Sequence, residues 1–212
     1  NLAESSGLIA KLSSSNFAEF MHERYVPGTW SVVAQYEHLP RYMMAKSYCG
    51  GKRVLDFGCG TGYGSKILSE VAAAVTGLDI DRDALDWCKA AHKANNLEFL
   101  RSENLGKDLE SNSFDVIVNF EMIEHVDQST QRQCLAQFSR LLKDDGVLLM
   151  STPNPEVTAK YGDNPYHIHE MGRSEFLSFL GCSFTKIKLF DQYINPIVSI
   201  ERSGVPFGRV VN

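Results

Sequence analysis

Short apolar runs and longer stretches of helical period take turns along the middle of the chain. The short runs are Arg53–Phe57, Ala74–Asp79, Leu97–Leu100, Phe114–Phe120 and Val147–Ser151, and each reads as a strand. Between them, Asp81–Lys93 puts Ala84, Leu85, Cys88 and Ala91 on one face. Ser129–Lys143 does the same with Leu135, Phe138, Leu141 and Leu142. Strands this uniformly apolar are buried on both faces. The alternation therefore predicts an α/β fold, a doubly wound and mostly parallel sheet covered by helices on both sides. Upstream, Ser31–Tyr48 carries Val32, Val33, Tyr36, Leu39, Tyr42 and Met43 near helical spacing, with Pro40 expected to break or kink the helix. After Gly181 the period changes. Thr185, Ile187 and Leu189 alternate with Lys186 and Lys188, and Ile197–Ile200 and Arg209–Val211 follow. These segments read as antiparallel chain that closes the sheet edge, and the expected sheet has seven strands.

The length of 212 residues suits one domain with an appendage. With 43% hydrophobic and 22% charged residues, the composition excludes a disordered or fibrous chain. The longest apolar runs, Val71–Val75 and Val147–Met150, are far too short to span a bilayer. No basic start followed by an apolar stretch reads as a leader, although the chain begins with Asn rather than Met. A net charge of −5 carries no basic footprint and disfavours a nucleic-acid partner. The cysteines (Cys49, Cys59, Cys88, Cys134 and Cys182) are odd in number and widely spaced. They form no zinc or disulfide framework, which points to a reducing, cytoplasmic setting.

The strongest signal is Val54-Leu55-Asp56-Phe57-Gly58-Cys59-Gly60-Thr61-Gly62-Tyr63-Gly64, which leaves a strand and opens a helix. Glycines let the chain turn sharply and let a ligand approach the backbone. A helix start offers N–H groups and a positive dipole end to an anion. Asp79 stands at the end of the next strand, about 20 residues on, the separation at which an acid takes the hydroxyls of a ribose. A dinucleotide fold wants G-x-G-x-x-G, but Tyr63 occupies the place of the third glycine. Asp56, just before the loop, suits an ammonium better than a pyrophosphate. A ligand with a ribose, an ammonium and a carboxylate fits these residues better than one with two phosphates. For Cys59 alone, a small residue in a turn is the better reading than a nucleophile.

At this point the sequence resembles the class I S-adenosylmethionine-dependent methyltransferases. The resemblance covers roughly Arg53 to Leu180 and rests on VLDFGCGTGYG (54–64), VTGLDID (75–81), SFDVIVNFEMIEHV (113–126) and DDGVLLMSTPNP (144–155). It implies S-adenosylmethionine as cofactor. The backbone of Gly58, Cys59, Gly60, Thr61 and Gly62 would cradle its methionine part, and Asp56 would order the loop and face the amino group. Asp79 would take the ribose hydroxyls and Ile80 would pack on the adenine. Glu103 and Asn104 are the candidates near the adenine amine, although this stretch departs from the family's usual G-D-A. Phe120 and Glu121 would lie near the sulfonium.

Glu121-Met122-Ile123-Glu124-His125 follows the fourth strand, where ligands of parallel sheets bind. If that turn is helical, Glu121, Glu124 and His125 share a face. His167-Ile168-His169-Glu170 follows the fifth strand, and its two histidines alternate, so at most one lines the site. Three readings stay open. His125 is a general base for an acceptor hydroxyl, as an imidazole titrating near neutrality suits. Alternatively Glu121, Glu124, His125 and His167 hold a divalent metal, Mg²⁺, Mn²⁺ or Zn²⁺, that polarises the hydroxyl. This arrangement is similar to the E-x-x-E-H and distant His of small-RNA 3′-end 2′-O-methyltransferases and ubiquinone-pathway O-methyltransferases. Or Glu124 and His125 only cap the next helix. His22 and His92 read as surface residues.

The expected division is a helical cap over 1–50 and a catalytic domain over 51–212. Glu23–Gly28 and Glu37–Tyr42 look similar to the lead-in of bacterial methyltransferases of glycan and sugar biosynthesis, and Tyr25 and Tyr36 are candidates to cover the cofactor. The resemblance thus implies transfer of a methyl group to a hydroxyl of a small molecule or glycan, with His125, Glu124 and His167 as the catalytic candidates. A metal-dependent RNA 2′-O-methyltransferase, a cofactor-binding module without turnover and a nicotinamide-dependent dehydrogenase remain as alternatives.

Overall fold

A computed structural model describes residues 32–159, 162 and 164–192. Its helices and strands alternate as α1 (Val32–Cys49), β1 (Arg53–Phe57), α2 (Tyr63–Ser69), β2 (Ala74–Asp79), α3 (Arg82–Ala91), β3 (Leu97–Arg101), β4 (Phe114–Phe120), α4 (Gln128–Leu141), β5 (Leu142–Ser151), α5 (Pro155–Thr158) and α6 (Arg173–Gly181). A single 3-10 turn at Ile123–His125 lies between β4 and α4. The strands form one sheet in the order β3-β2-β1-β4-β5, all parallel. The chain lays down β1, β2 and β3 outward, then returns to place β4 against the other side of β1. Loops leaving β1 and β4 therefore diverge, and the crevice between them is where parallel sheets bind ligands.

Side chains of successive strand residues point to opposite faces, and each face has its own core. Val54, Val75, Val116, Val118 and Phe120 pack with Leu68 of α2 and with Tyr42, Ala45 and Cys49 of α1. On the other face Leu55, Phe57, Leu78 and Ile117 pack with Cys134, Leu135, Phe138 and Leu141 of α4 and with Phe176 and Leu180 of α6. The start of α3 is fixed by Asp81, whose carboxylate accepts from the Asp83 and Ala84 N–H groups. Asp127 caps α4 in the same way at Thr130. Both are the side-chain caps that helix starts favour.

Three expectations are corrected. Helix α1 runs through Pro40 without a break. Proline removes the N–H that would bond the Tyr36 carbonyl, and Gln192 Nε2 donates instead to the Tyr36 and Glu37 carbonyls, at 3.1 Å each. Second, β5 begins at Leu142, directly where α4 stops, and an irregularity of register lies between its Leu142 and Val147 pairings. Third, the described sheet has five strands, and Thr185–Leu189 is not one of them. Alternation makes a segment able to pair but supplies no neighbour. Phe184 and Leu189 instead pack onto the α4 core as irregular chain. The other edge segments, Ile197–Ile200 and Arg209–Val211, lie outside the described residues, as does the cap upstream of Val32. Among the described residues no helix is long and apolar enough to cross a membrane.

The contact of α1 with α2 is intimate enough to test. A Cβ built on Gly64 falls inside the Tyr42 ring, and Tyr42 is buried against Tyr63 and Phe120. Gly→Ala within a helix ordinarily stabilises. Here Gly64→Ala should reverse that sign and lower unfolding stability by about 2 kcal/mol, read from the midpoint of a denaturant titration.

Candidate active site

The glycine loop is stitched to the end of β2. The N–H groups of Gly58 and Cys59 both donate to the Leu78 carbonyl, at 2.8 and 3.0 Å, and Gly62 N–H donates to the Cys59 carbonyl at 2.9 Å. Gly62 has φ +73°, and a Cβ there would meet Cys88 Sγ at 2.7 Å and the Phe99 ring at 2.8 Å. Only glycine combines that backbone with so close an approach. Gly60 N–H donates to Asp79 Oδ2 at 2.8 Å and Asp81 N–H to Asp79 Oδ1 at 3.0 Å. The Asp79 carboxylate is thus aimed by two backbone bonds. It has about four acceptor positions, so capacity remains for a pair of hydroxyls. Ile80 follows with its side chain left 62% exposed.

Asp56 lies beneath the loop rather than at its mouth. It is fully buried. Tyr42 Oη donates to Oδ1 at 3.1 Å and Ser65 Oγ to Oδ2 at 2.6 Å. Burial pushes its carboxyl up to about 6, against the two hydroxyl bonds that favour the charged form. Hydrogen bonding with Cys88 and burial push the Cys59 thiol well above its ordinary value, which fits a packing residue and not a nucleophile. His92 is not a surface residue: it is half-buried, and its Nε2 meets the Thr61 carbonyl at 2.9 Å. Further along the rim, Glu103 pairs with Arg101 at 2.6 Å. Asn104 accepts from Ser102 Oγ and donates to Asp108. Both are engaged with neighbours in their own turn.

The acid–histidine cluster assembles only in part. Glu121 takes φ +51°, a left-handed turn that separates it from the 3-10 turn of Glu124 and His125. Ser151 Oγ donates to Glu121 Oε1 at 2.6 Å, and the Arg41 guanidinium of α1 stands 3.4 Å from Oε2. Glu124, His125 and His167 do converge, with one ligand atom of each within 4.8 Å of the others. The two imidazoles meet edge to face at 5.0 Å. His125 Nδ1 bonds the Tyr166 carbonyl at 3.1 Å. A carbonyl only accepts, so Nδ1 carries the proton and Nε2 the lone pair in the neutral ring. His167 Nδ1 bonds Glu170 Oε1, and Thr158 Oγ1 donates to the other oxygen of Glu170 at 2.5 Å. His169 turns away, toward Gln131, Gln128 and Glu175.

The acids are unlike. Burial first, and the Glu121 charge second, hold Glu124 well above the usual carboxylate range. Glu124 is fully buried, its Oε1 has no hydrogen-bond partner among the described residues, and Thr152 reaches Oε2 at 3.4 Å. For Glu170 burial acts upward, but the hydrogen bonds from His167 and Thr158 outweigh it and hold it below its ordinary value. Sequence reasoning missed Arg41, Thr158 and Glu170 as members of this site. The i,i+3 spacing of His167 and Glu170 was the only signal available for one of them.

Residues 55–150 match the family described as a methyltransferase domain. A probable S-adenosylmethionine-dependent methyltransferase of Mycolicibacterium smegmatis is 34% identical over 163 residues, which are 74% of this chain and 62% of that relative. A ubiquinone biosynthesis O-methyltransferase of Haemophilus ducreyi is 37% identical over 118 residues, 51% of this chain and 48% of that one. The chain spans about half to three fifths of the length of such curated relatives. A crystal structure of an S-adenosylmethionine-dependent methyltransferase from Mesorhizobium loti superposes with a TM-score of 0.60 at 21% identity, covering 73% of this chain and 83% of that one. Over residues 55–150 the chain is thus similar to methyltransferase domains, and its parallel sheet has the Rossmann-like fold of the solved methyltransferases.

Asp56 generates a prediction with an unusual sign. The folded state holds its proton up to about 6, whereas the unfolded chain releases it near 4. Between those values the folded state binds more protons, so raising the pH favours unfolding. Wild type should lose stability relative to Asp56→Asn as the pH climbs from about 4 to about 6. Above that window the two should run parallel. Denaturant midpoints of both proteins across that range check it.

Proposed function

We propose that this chain transfers the methyl group of S-adenosylmethionine to a hydroxyl of a small molecule or sugar. The observation that carries the hydroxyl is the convergence of Glu124, His125 and His167 on the rim that holds the glycine loop. The oxygen-methylating relative from Haemophilus ducreyi supports the same acceptor atom.

The sulfonium of the bound cofactor supplies an electrophilic methyl carbon. With an acceptor oxygen taking that methyl, the carbon–sulfur electron pair would stay on sulfur and the hydroxyl proton would have to leave. His125 accepts it at Nε2, the nitrogen its Tyr166 bond leaves basic. Asp79 holds the ribose, and the loop of Gly58–Gly62 fixes the methionine end, so that most of the rate gain is alignment. Arg41 and Ser151 hold Glu121 at the end of β4, where it flanks the reacting groups beside Phe120.

A second reading has its own support. One carboxylate and two imidazoles suit a divalent cation, and a buried carboxylate oxygen without a partner is where such an ion would gain most. The Nδ1 bonds of both imidazoles to oxygen acceptors are the outer contacts that orient metal-bound histidines. Glu124, His125 and His167 would hold the ion, and it would polarise the acceptor hydroxyl. Glu121, turned to Ser151 and Arg41, is not part of that set.

His125→Ala should cut turnover by at least about 100-fold and leave cofactor affinity nearly intact. Asp79→Ala should mainly weaken cofactor binding. Calorimetry with S-adenosylhomocysteine and methyl-transfer assays on hydroxylated acceptors read the two apart. Normal turnover by His125→Ala would sink both readings of the cluster. Loss of activity in EDTA, restored by Mg²⁺, Mn²⁺ or Zn²⁺, selects the metal over the simple base.

A further inference from the structure

We propose that His92 is a positioning residue for the cofactor, acting through the carbonyl edge of the glycine loop. The inference rests on the loop being the cofactor site, as argued above, and adds the residue that caps the C-terminal end of α3, which the loop motif does not contain.

The loop is held on two sides. On one side its N–H groups bond the end of β2, at Leu78 and Asp79. On the other, α3 grips its carbonyls. Cys88 Sγ donates to the Gly60 carbonyl at 3.2 Å, and His92 Nε2 meets the Thr61 carbonyl at 2.9 Å. Cys88 lies in the last turn of α3 and His92 is its C-cap, and both side chains reach the loop. This end of α3 is pressed hard on the loop, because a Cβ on Gly62 would strike Cys88 Sγ and Phe99. The two ends of α3 are themselves anchored. Asp81 caps its start while its own N–H bonds Asp79. At its end the His92 N–H bonds the Cys88 carbonyl, and Lys66 of α2 bonds the Lys93 carbonyl at 3.1 Å.

The chemistry of the grip follows from the partner. A carbonyl only accepts, so Nε2 carries the proton. Burial and the Lys66 charge favour the neutral ring, which is the state of a fixed donor at working pH. A trans peptide sets its N–H opposite its C=O. Pulling the Gly60 and Thr61 carbonyls toward α3 therefore sets the orientation of the next two amides, Thr61 and Gly62. A weak thiol bond does this at Gly60, and the stronger imidazole bond does it at Thr61. His92 is the C-terminal stop of a ruler whose other end is Asp79, the residue placed on the ribose. Loop and ribose acid are thus set by one helix.

The test uses the full chain with His92→Leu, which keeps apolar bulk and removes the donor, and His92→Gln, whose Nε2 reaches about as far as the imidazole's. Calorimetry with S-adenosylhomocysteine should show His92→Leu weakened about fivefold and His92→Gln within about twofold of wild type. The KM for S-adenosylmethionine should follow the same order, with kcat moving far less than KM. Melting temperatures are recorded alongside. Equal weakening of both variants would overturn the inference, since a merely structural role depends on bulk and not on the donor. So would unchanged affinity in His92→Leu. Should His92→Leu fail to fold, the wild type still decides. The His92 ring resonances, assigned by their loss in His92→Gln, should shift when S-adenosylhomocysteine is added, and a ring that does not respond overturns the proposal. Absence of S-adenosylhomocysteine binding by the wild type is a different failure: it overturns the cofactor assignment itself.

Discussion

The arrangement depends on one buried carboxylate. Asp56 sits at 0% exposure, and two neutral hydroxyls, from Tyr42 and Ser65, take its two oxygens. Burying a carboxylate costs far more than burying an amide unless it is well bonded. The position is therefore tolerable only if α1 and α2 both lie where they do. Asp56 shares the face of Val54 on β1, and that face also receives Leu68, Ala45 and Cys49. The same residue that precedes the glycine loop thus orders both helices around it. Helix α1 is not a detachable cover in consequence. Its Tyr42 lies on Gly64, and its Arg41 reaches over to Glu121 at the end of β4. Helix α1 thus shares its anchor with the glycine loop and reaches the end of β4 at once.

A second consequence is the division of labour along the rim. The end of β2 and the face of α3 hold the loop between them, so the loop side of the crevice is built from backbone bonds and short contacts. The other side is built from side chains that follow β4 and β5. Backbone bonds are reproduced by any sequence that folds this way, whereas side chains differ from one sequence to the next. The family match covers the loop side of that line and, of the acid–histidine cluster, Glu121, Glu124 and His125. The match to the methyltransferase family spans residues 55–150, whereas Thr158, Tyr166, His167 and Glu170 fall beyond it.

The same line separates what was legible in the sequence from what was not. The strands at Arg53–Phe57, Ala74–Asp79 and Phe114–Phe120 stand where the apolar runs put them, because a strand buried on both faces leaves an unmistakable pattern. The glycine loop was legible because turns of φ near +73° and contacts under 3 Å admit only glycine. Glu121 was not, because a left-handed glutamate looks like a helical one in sequence. Helix α1 crossing Pro40 was not, since the Gln192 donor to its carbonyls lies 156 and 155 residues away from them. Thr185–Leu189 was misread because alternation records which faces are wet and not whether a neighbouring strand exists. His92 was misread for a related reason: one histidine near a helix end carries no period, and its partner is a backbone carbonyl, which sequence does not mark.

Glu124 joins the two readings of the reaction. Its Oε1 is buried without a partner, and an oxygen so placed gains by meeting positive charge. A proton supplies that charge, and burial together with Glu121 favours it. A divalent cation supplies it also, and His125 and His167 stand at the distance that would complete its ligands. Glu170 has the opposite surroundings, with two hydrogen-bond donors that hold it charged. Two carboxylates pushed in opposite directions are the usual mark of separate tasks within one site. The charged one steers His167. On the proposed reading the other waits on an occupant, and whether that occupant is a proton or a metal would decide how an acceptor hydroxyl loses its own proton. With a proton on Glu124, His125 alone must be basic enough to take it. With a cation there, the hydroxyl is made acidic and the demand on His125 as a base disappears. The base and metal mechanisms therefore differ in what sits at one oxygen atom of Glu124, while the framework of Tyr166, Thr158 and Glu170 around it is common to both.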